Sequence, residues 1–360
     1  MKIGILTFHN AYNYGAVLQA YATQELVKSM GHEVELIDYH NASIDWYYEK
    51  RKFHFRRFLR SIYKFPLYLW AIYFFWKRRK AYQEFADNHL KLSVKRYYQG
   101  DDISIEDYDV VLIGSDQLWN KNITGGIDNV FWGQFETSPV TRKVAWSVCM
   151  NNINLTECET EQIKNFLNNF TAISVREDTL QAFISKLTDK KIWHTLDPTL
   201  LLPTPKWEQI CHPVKDKNYI AVYAVQKETE TVAFAREIAK RRNKKLVIIR
   251  SYAKWYFSIE NKECCGPEGF LSYIKSADYV VTSSFHGTVF SLLFQCQFVC
   301  PKLDGNLRIE DLLCTVGLSN RLVDNWEEAL SLSPINYENL SDTLEVKKSE
   351  SLRFLSNALK

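Results

Sequence analysis

The sequence predicts an α/β chain built from two Rossmann-like domains whose parallel sheets face a cleft. Three observations carry that reading. Apolar, β-branched runs alternate with helical repeats in two separate series. A proline-bearing stretch divides the two series. At 360 residues the chain also exceeds the size at which one hydrophobic core usually stops growing.

The first series opens with "KIGILTF", an apolar strand, followed by "AVLQAYATQELVKSM", whose apolar residues recur at helical spacing. Gly31 is placed to end that helix, and "EVELIDY" is a second strand. This is a βαβ unit, and it requires a parallel sheet. Further strands are expected at Tyr108–Gly114, Lys143–Val148 and Ala172–Arg176. "DPTLLLPTPKW" (Asp197–Trp207) carries three prolines and is the expected linker. The second series runs through strand Tyr219–Val225, helix Glu228–Arg242, strand "KLVIIR", a helix near Gly269–Lys275 and strand Tyr279–Thr282. The expected domains are therefore 1–196, 197–330 and a C-terminal helical segment 331–360, with a basic, aromatic helical insertion at about 45–90.

Composition narrows the class. Hydrophobic content of 46% is ample for two cores, and a net charge of +3 excludes a polyelectrolyte. None of the eight cysteines forms a C-x-x-C pair, and Cys296, Cys300 and Cys314 lie in apolar runs, which points to buried thiols in a reducing compartment. The adjacent Cys264 and Cys265 are a weaker candidate for a soft metal. Met1–Phe8 is too short for a signal-peptide core, and no stretch approaches the roughly 20 apolar residues of a membrane span. The expected location is cytoplasmic.

In doubly wound sheets ligands bind beyond the carboxyl ends of strands, and the unusual residues fall there. After the first strand comes "HNAYNYGAVLQ"; after Gly114, "SDQLWN"; after Val175, "RED"; after Ile249, Arg250; after Thr282, "SSFHG". Each has a plain alternative. His9 and Asn10 could be loop residues, Asp116 a helix cap, and Arg176 half of a surface pair with Glu177. Five clusters together favour a convergent site. Within "DYVVTSSFHGTVFSLLF" the chain turns from strand to helix at Ser283–Gly287, so His286 is either a capping residue or a catalytic one.

Lys50–Lys80 holds eleven Lys/Arg and no Asp or Glu, interleaved with aromatics. Its apolar centre, Phe65–Trp76, is too short to span a bilayer. It is read as a surface that lies in the headgroup plane at the inner face of the plasma membrane, with internal helical packing as the alternative. No nucleic-acid motif accompanies it, and nucleic acid is not an expected partner.

"NYGAVLQAYA", "GSDQLWN", "SVRED", "DPTLL" and "SSFHGTVFS" occur in the order seen in the polysaccharide pyruvyl transferase family, and the sequence resembles that family from Lys2 to about Arg321. The resemblance implies a GT-B-like architecture. It also implies transfer of a pyruvyl group from phosphoenolpyruvate to two hydroxyls of a sugar in a bacterial capsule or exopolysaccharide, giving a cyclic ketal. Phosphoenolpyruvate is then a donor substrate and no cofactor or metal is implied; the acceptor is a sugar or lipid-linked saccharide.

Phosphate and carboxylate suit arginine forks, and a positioned imidazole can protonate the donor's methylene carbon. The resemblance makes His286 the acid. It assigns Arg176, Ser284 and Gly287 to the donor, and Asn13, Tyr14, Gly15, Ser115, Asp116 and Gln117 to the acceptor. One departure stands out: many members have arginine two residues before the histidine, where this chain has Ser284. Arg250, Arg308 or Arg142 are candidates to replace that guanidinium, or the donor differs. A GT-B glycosyltransferase using a nucleotide sugar and a catalytically silent sugar- or lipid-binding protein are the alternative functions.

Overall fold

The computed structural model describes residues 1–49, 65–101, 103–105, 107–151, 153–225, 227–250, 261–263, 265–303, 307–340 and 342–360. The chain divides into two compact units. One comprises Met1–Lys52, Ala86–Leu202 and Val346–Lys360; the other comprises Phe53–Phe85 and Pro203–Glu345.

The first unit holds seven strands: β1 (Lys2–Leu6), β2 (Glu33–His40), β3 (Leu92–Tyr98), β4 (Val110–Asp116), β5 (Arg142–Val148), β6 (Phe170–Val175) and β7 (Ile192–His194). They pair in parallel in the order β3-β2-β1-β4-β5-β6-β7. The central strands are buried on both faces, which is why they read as unbroken apolar runs. Helix Tyr14–Ser29 begins at Asn13, whose side chain accepts from the Gly15 and Ala16 amides.

The second unit repeats the plan with β8 (Tyr219–Tyr223), β9 (Lys245–Arg250), β10 (Asn261–Glu263), β11 (Tyr279–Thr282), β12 (Phe298–Pro301) and β13 (Leu322–Val323). Their order is β10-β9-β8-β11-β12-β13, again parallel. Helix Glu228–Arg241 covers one face through Val232, Ala235 and Ile238. Helix Phe285–Leu293 packs Phe290 edge-on against Trp207 and Phe270.

The unit boundary falls inside Asp197–Trp207, the expected linker, which itself contains helices Pro198–Leu201 and Thr204–Gln209. Two features differ from the sequence reading. The last helix, Thr343–Ala358, does not stand apart, because Phe354 stacks on Trp146 of β5 at 5.8 Å and 5°. Cys314 is exposed, whereas Cys296 and Cys300 are buried as expected; Cys264 lies outside the described residues.

Helix Phe65–His89 carries the described part of the basic, aromatic segment; residues 50–64 lie outside the description. Tyr73 and Trp76 are 61% and 58% exposed, so this face presents aromatics outward. Arg78, expected to be solvated, is buried together with Tyr82 and Phe85.

Truncating Phe354 to alanine should remove the lid over Trp146 and destabilise the first unit by about 3–5 kcal/mol. Denaturant unfolding followed by tryptophan fluorescence checks this; an unshifted transition would detach the last helix from that core.

Candidate active site

Each sheet has one point where the strand order reverses: between β1 and β4 in the first unit, and between β8 and β11 in the second. Flanking helices leave on opposite sides there, so polar groups at the carboxyl ends have room to meet a ligand.

In the second unit, β11 ends at Thr282 and the chain enters helix Phe285–Leu293 through Ser284. The Thr282 hydroxyl donates to the Tyr223 carbonyl of β8 at 2.6 Å and accepts from the Ser284 amide at 3.1 Å. Ser284 caps the helix by accepting from the Gly287 amide at 3.4 Å. Gly287 has a packing reason: a Cβ there would lie 2.1 Å from the Thr282 hydroxyl oxygen. His286 thus stands in the first turn of the helix, 8% exposed, with its ring edge-on to Phe285 at 5.3 Å. Arg308 sits over the other partner of that pair, its guanidinium carbon 5.7 Å from the Phe285 ring centre. Arg308 is half-buried.

Arg250 ends β9 but is 2% exposed and bound to Glu228, Nε to Oε1 at 2.6 Å. Arg142 stands at the amino end of β5 and donates to the Ala358 carbonyl at 3.1 Å, at the opposite edge of its sheet from the strand ends. Of the three arginines considered as replacements for Ser284's missing guanidinium, Arg308 neighbours His286 through the Phe285 ring.

In the first unit the residues assigned to the acceptor divide by burial. Asn13 caps its helix, Tyr14 and Ser115 are fully buried, and Gly15 is buried behind them. The Ser115 hydroxyl donates to the Ser147 carbonyl at 3.1 Å, and the Thr7 hydroxyl donates to the Ser115 carbonyl at 3.2 Å. Asp116 and Gln117 are half-buried. Asp116 has φ 72°, a left-handed conformation that costs free energy for a non-glycine residue and clusters at functional sites.

Arg176, which the resemblance assigns to the donor, is buried and paired. Its side chain is 5% exposed; Nη1 pairs with Asp197, and Nη2 lies 3.9 Å from Asp116. Burial would lower its pKa, yet Asp197, Cys149 and Asp116 outweigh burial and hold the guanidinium firmly charged. Asp197 also caps the next helix, accepting from the Thr199 amide and hydroxyl at 2.9 and 2.6 Å. The proline-bearing string around Asp197 hid this partner.

A second group is invisible in the sequence pattern. His9, at the β1 end, has Nε2 3.0 Å from Asp38 Oδ1, and His40 Nε2 lies 2.9 Å from the same oxygen. Burial pushes Asp38 up, but hydrogen bonds from His40, His9 and Arg96 outweigh it and hold the carboxyl well below the usual range. Hydrogen bonds to Asp38 and Asp45 raise His40 to about 9.

A family model described as polysaccharide pyruvyl transferase matches residues 13–300. Comparison with curated proteins gave no match. UDP-GlcNAc 2-epimerase from Methanocaldococcus jannaschii, in complex with UDP-GlcNAc and UDP, has a TM-score of 0.53 at 13% identity, over 99% of this chain and 100% of that one. UDP-N-acetylglucosamine 2-epimerase from Rickettsia bellii has a TM-score of 0.51 at 8% identity, over 100% and 96%. At these identities the likeness shows the fold alone, an α/β, GT-B-like architecture with Rossmann-like units.

Removing the Arg176 guanidinium tests its role. Arg176→Met leaves Asp197 buried without its cation and should cost about 3–5 kcal/mol. Unchanged unfolding with a raised donor Michaelis constant would instead place this arginine at the donor.

Proposed function

The chain belongs to the polysaccharide pyruvyl transferase family, a family of transferase enzymes, and from that premise we propose that it moves a pyruvyl group from phosphoenolpyruvate to two hydroxyls of a sugar. The observation that carries this reading is His286, held in the first turn of the helix that starts directly at the carboxyl end of β11.

The chemistry needs one proton delivered to carbon. His286 gives a proton to the donor's methylene carbon, and positive character develops at the neighbouring carbon. One sugar hydroxyl adds there, phosphate leaves with its bridging oxygen, and the second hydroxyl closes the cyclic ketal. Two hydroxyl protons are released: one replenishes the imidazole and the other accompanies phosphate. The amides of the first helical turn and the Arg308 guanidinium are the groups suited to the donor's anionic ends. Ser284 and Gly287 shape that turn. Asp116, Gln117 and Asn13 are assigned to the acceptor, and Arg176 and Arg250 to holding the local fold, each in its own unit.

His286→Ala should fold normally and lose turnover by about 100-fold or more, the range of general acid catalysis. Phosphoenolpyruvate should raise the melting temperature of the unmodified protein by mass action. The competing donor is a nucleotide sugar, the class of ligand bound in the Methanocaldococcus jannaschii epimerase complex. A shift with UDP-GlcNAc and none with phosphoenolpyruvate, or full turnover in His286→Ala, overturns the proposal.

We further propose that the exposed aromatic and basic face around Trp76 meets anionic lipid, where a lipid-linked acceptor would be found. Among the described residues no helix is long and apolar enough to cross a membrane. Arg79 and Lys77 flank Trp76 and Phe74 at 5.6 and 5.4 Å. Each cation contributes about 1 kcal/mol at an anionic surface, so several act together. The protein should sediment with phosphatidylserine vesicles at low salt and be released as salt rises. Replacing Lys77, Arg79, Arg56, Arg57 and Arg60 by glutamine should abolish this. Arg78 is left unchanged because it is buried. No sedimentation at low salt assigns the helix to internal packing.

A further inference from the structure

We propose that His9, Asp38 and His40 form a binding site for one divalent transition-metal ion in the first unit. The three residues lie at the carboxyl ends of the adjacent strands β1 and β2, outside the groups assigned to pyruvyl transfer. Each offers one ligand atom, and all three atoms lie within 4.8 Å of one another.

The distances suit a metal. Ligand atoms bound tetrahedrally at about 2.0 Å stand about 3.3 Å apart. Here both imidazole nitrogens approach Asp38 Oδ1, at 3.0 and 2.9 Å. Small outward shifts would admit an ion among them.

The outer partners make the same point independently. His9 Nδ1 faces the Thr7 carbonyl at 3.2 Å, a group that only accepts, so that nitrogen carries the proton and Nε2 is directed at Asp38. His40 Nδ1 lies 3.0 Å from the Asp45 carboxylate and 3.0 Å from Asn10 Nδ2, so its outer nitrogen is held in place while Nε2 is directed at Asp38. Asn10 Nδ2 also donates to Asp45 at 2.9 Å. An imidazole with its second nitrogen on a carbonyl or carboxylate is the usual support of a metal-binding histidine. Arg96 occupies the other Asp38 oxygen at 2.7 Å, leaving Oδ1 as the ligand atom.

Two nitrogens and one carboxylate oxygen favour a first-row ion such as zinc over calcium or magnesium, which take oxygen ligands. The side chains are 3%, 7% and 18% exposed for His9, Asp38 and His40, so the ion would be enclosed except on the His40 side. It would tie β1 to β2, and through Arg96 and Asp45 to β3 and helix Ala42–Glu49.

The test uses the full chain, stripped with chelator and titrated with Co²⁺. One equivalent should give a visible d–d spectrum without the strong near-ultraviolet band of a thiolate ligand. Zn²⁺ should bleach it and raise the melting temperature. His9→Gln and His40→Gln should abolish uptake, and Asp38→Asn, which keeps the shape, should weaken it about tenfold or more. Circular dichroism confirms that each variant is folded. No uptake by the folded, unmodified protein, a thiolate band, or uptake unchanged in both histidine variants overturns the proposal.

Discussion

One device recurs in both sheets: a threonine hydroxyl that closes the point where the strand order reverses. Thr7, just beyond β1, donates to the Ser115 carbonyl of β4; Thr282, at the end of β11, donates to the Tyr223 carbonyl of β8. The helices that follow the two strands diverge at such a point, next to the last backbone carbonyls of the sheet. A side-chain donor supplies a bond where an unsatisfied buried carbonyl would be costly. The consequences spread outward. Thr282 fills the space that a side chain at Gly287 would need, so residue 287 has to be glycine and the helix can begin close to the strand. That closeness puts His286 at the strand end rather than a turn further on. In the first unit Gln19 donates to Thr7 at 2.7 Å, which ties the first helix to the same junction.

Charged residues at strand ends divide into two kinds, and burial separates them. Arg176 with Asp197 and Arg250 with Glu228 are enclosed pairs. Such pairs gain little net stability when intact, yet cost a great deal when one member is lost. They therefore hold their loops in one arrangement. Arg308 is half-buried over Phe285.

The central strands were legible because parallel strands covered on both faces are written as continuous apolar runs; β1, β4, β8 and β11 all read that way. The edge strands were not. β3, "LSVKRYY", is mostly exposed and carries lysine and arginine, the protection expected of an edge, and so lacks the apolar signature. β13 has two residues, too few for any pattern. His286 was legible because strand and helix patterns meet at it. Asp197 was not, since three prolines nearby signal a loop while its carboxylate is in fact interior. The grouping of His9 with Asp38 and His40 is created by strand pairing across 29 residues of sequence, a separation that no local motif encodes.

The segment between β1 and its helix shows how these constraints combine. Thr7 is tied to β4, His9 to Asp38 on β2, and Asn13 to the amides of the helix it caps. Two backbone bonds, from His9 to Thr7 and from Asn13 to Ala11, tighten the turns between those anchors. A loop held at three side chains and two turns has little conformational freedom left to lose when a ligand arrives. Asn10 and Tyr12, half-buried between the anchors, are therefore presented in a fixed geometry beside the switch point. A loop already ordered in this way does not have to be ordered again each time a ligand binds.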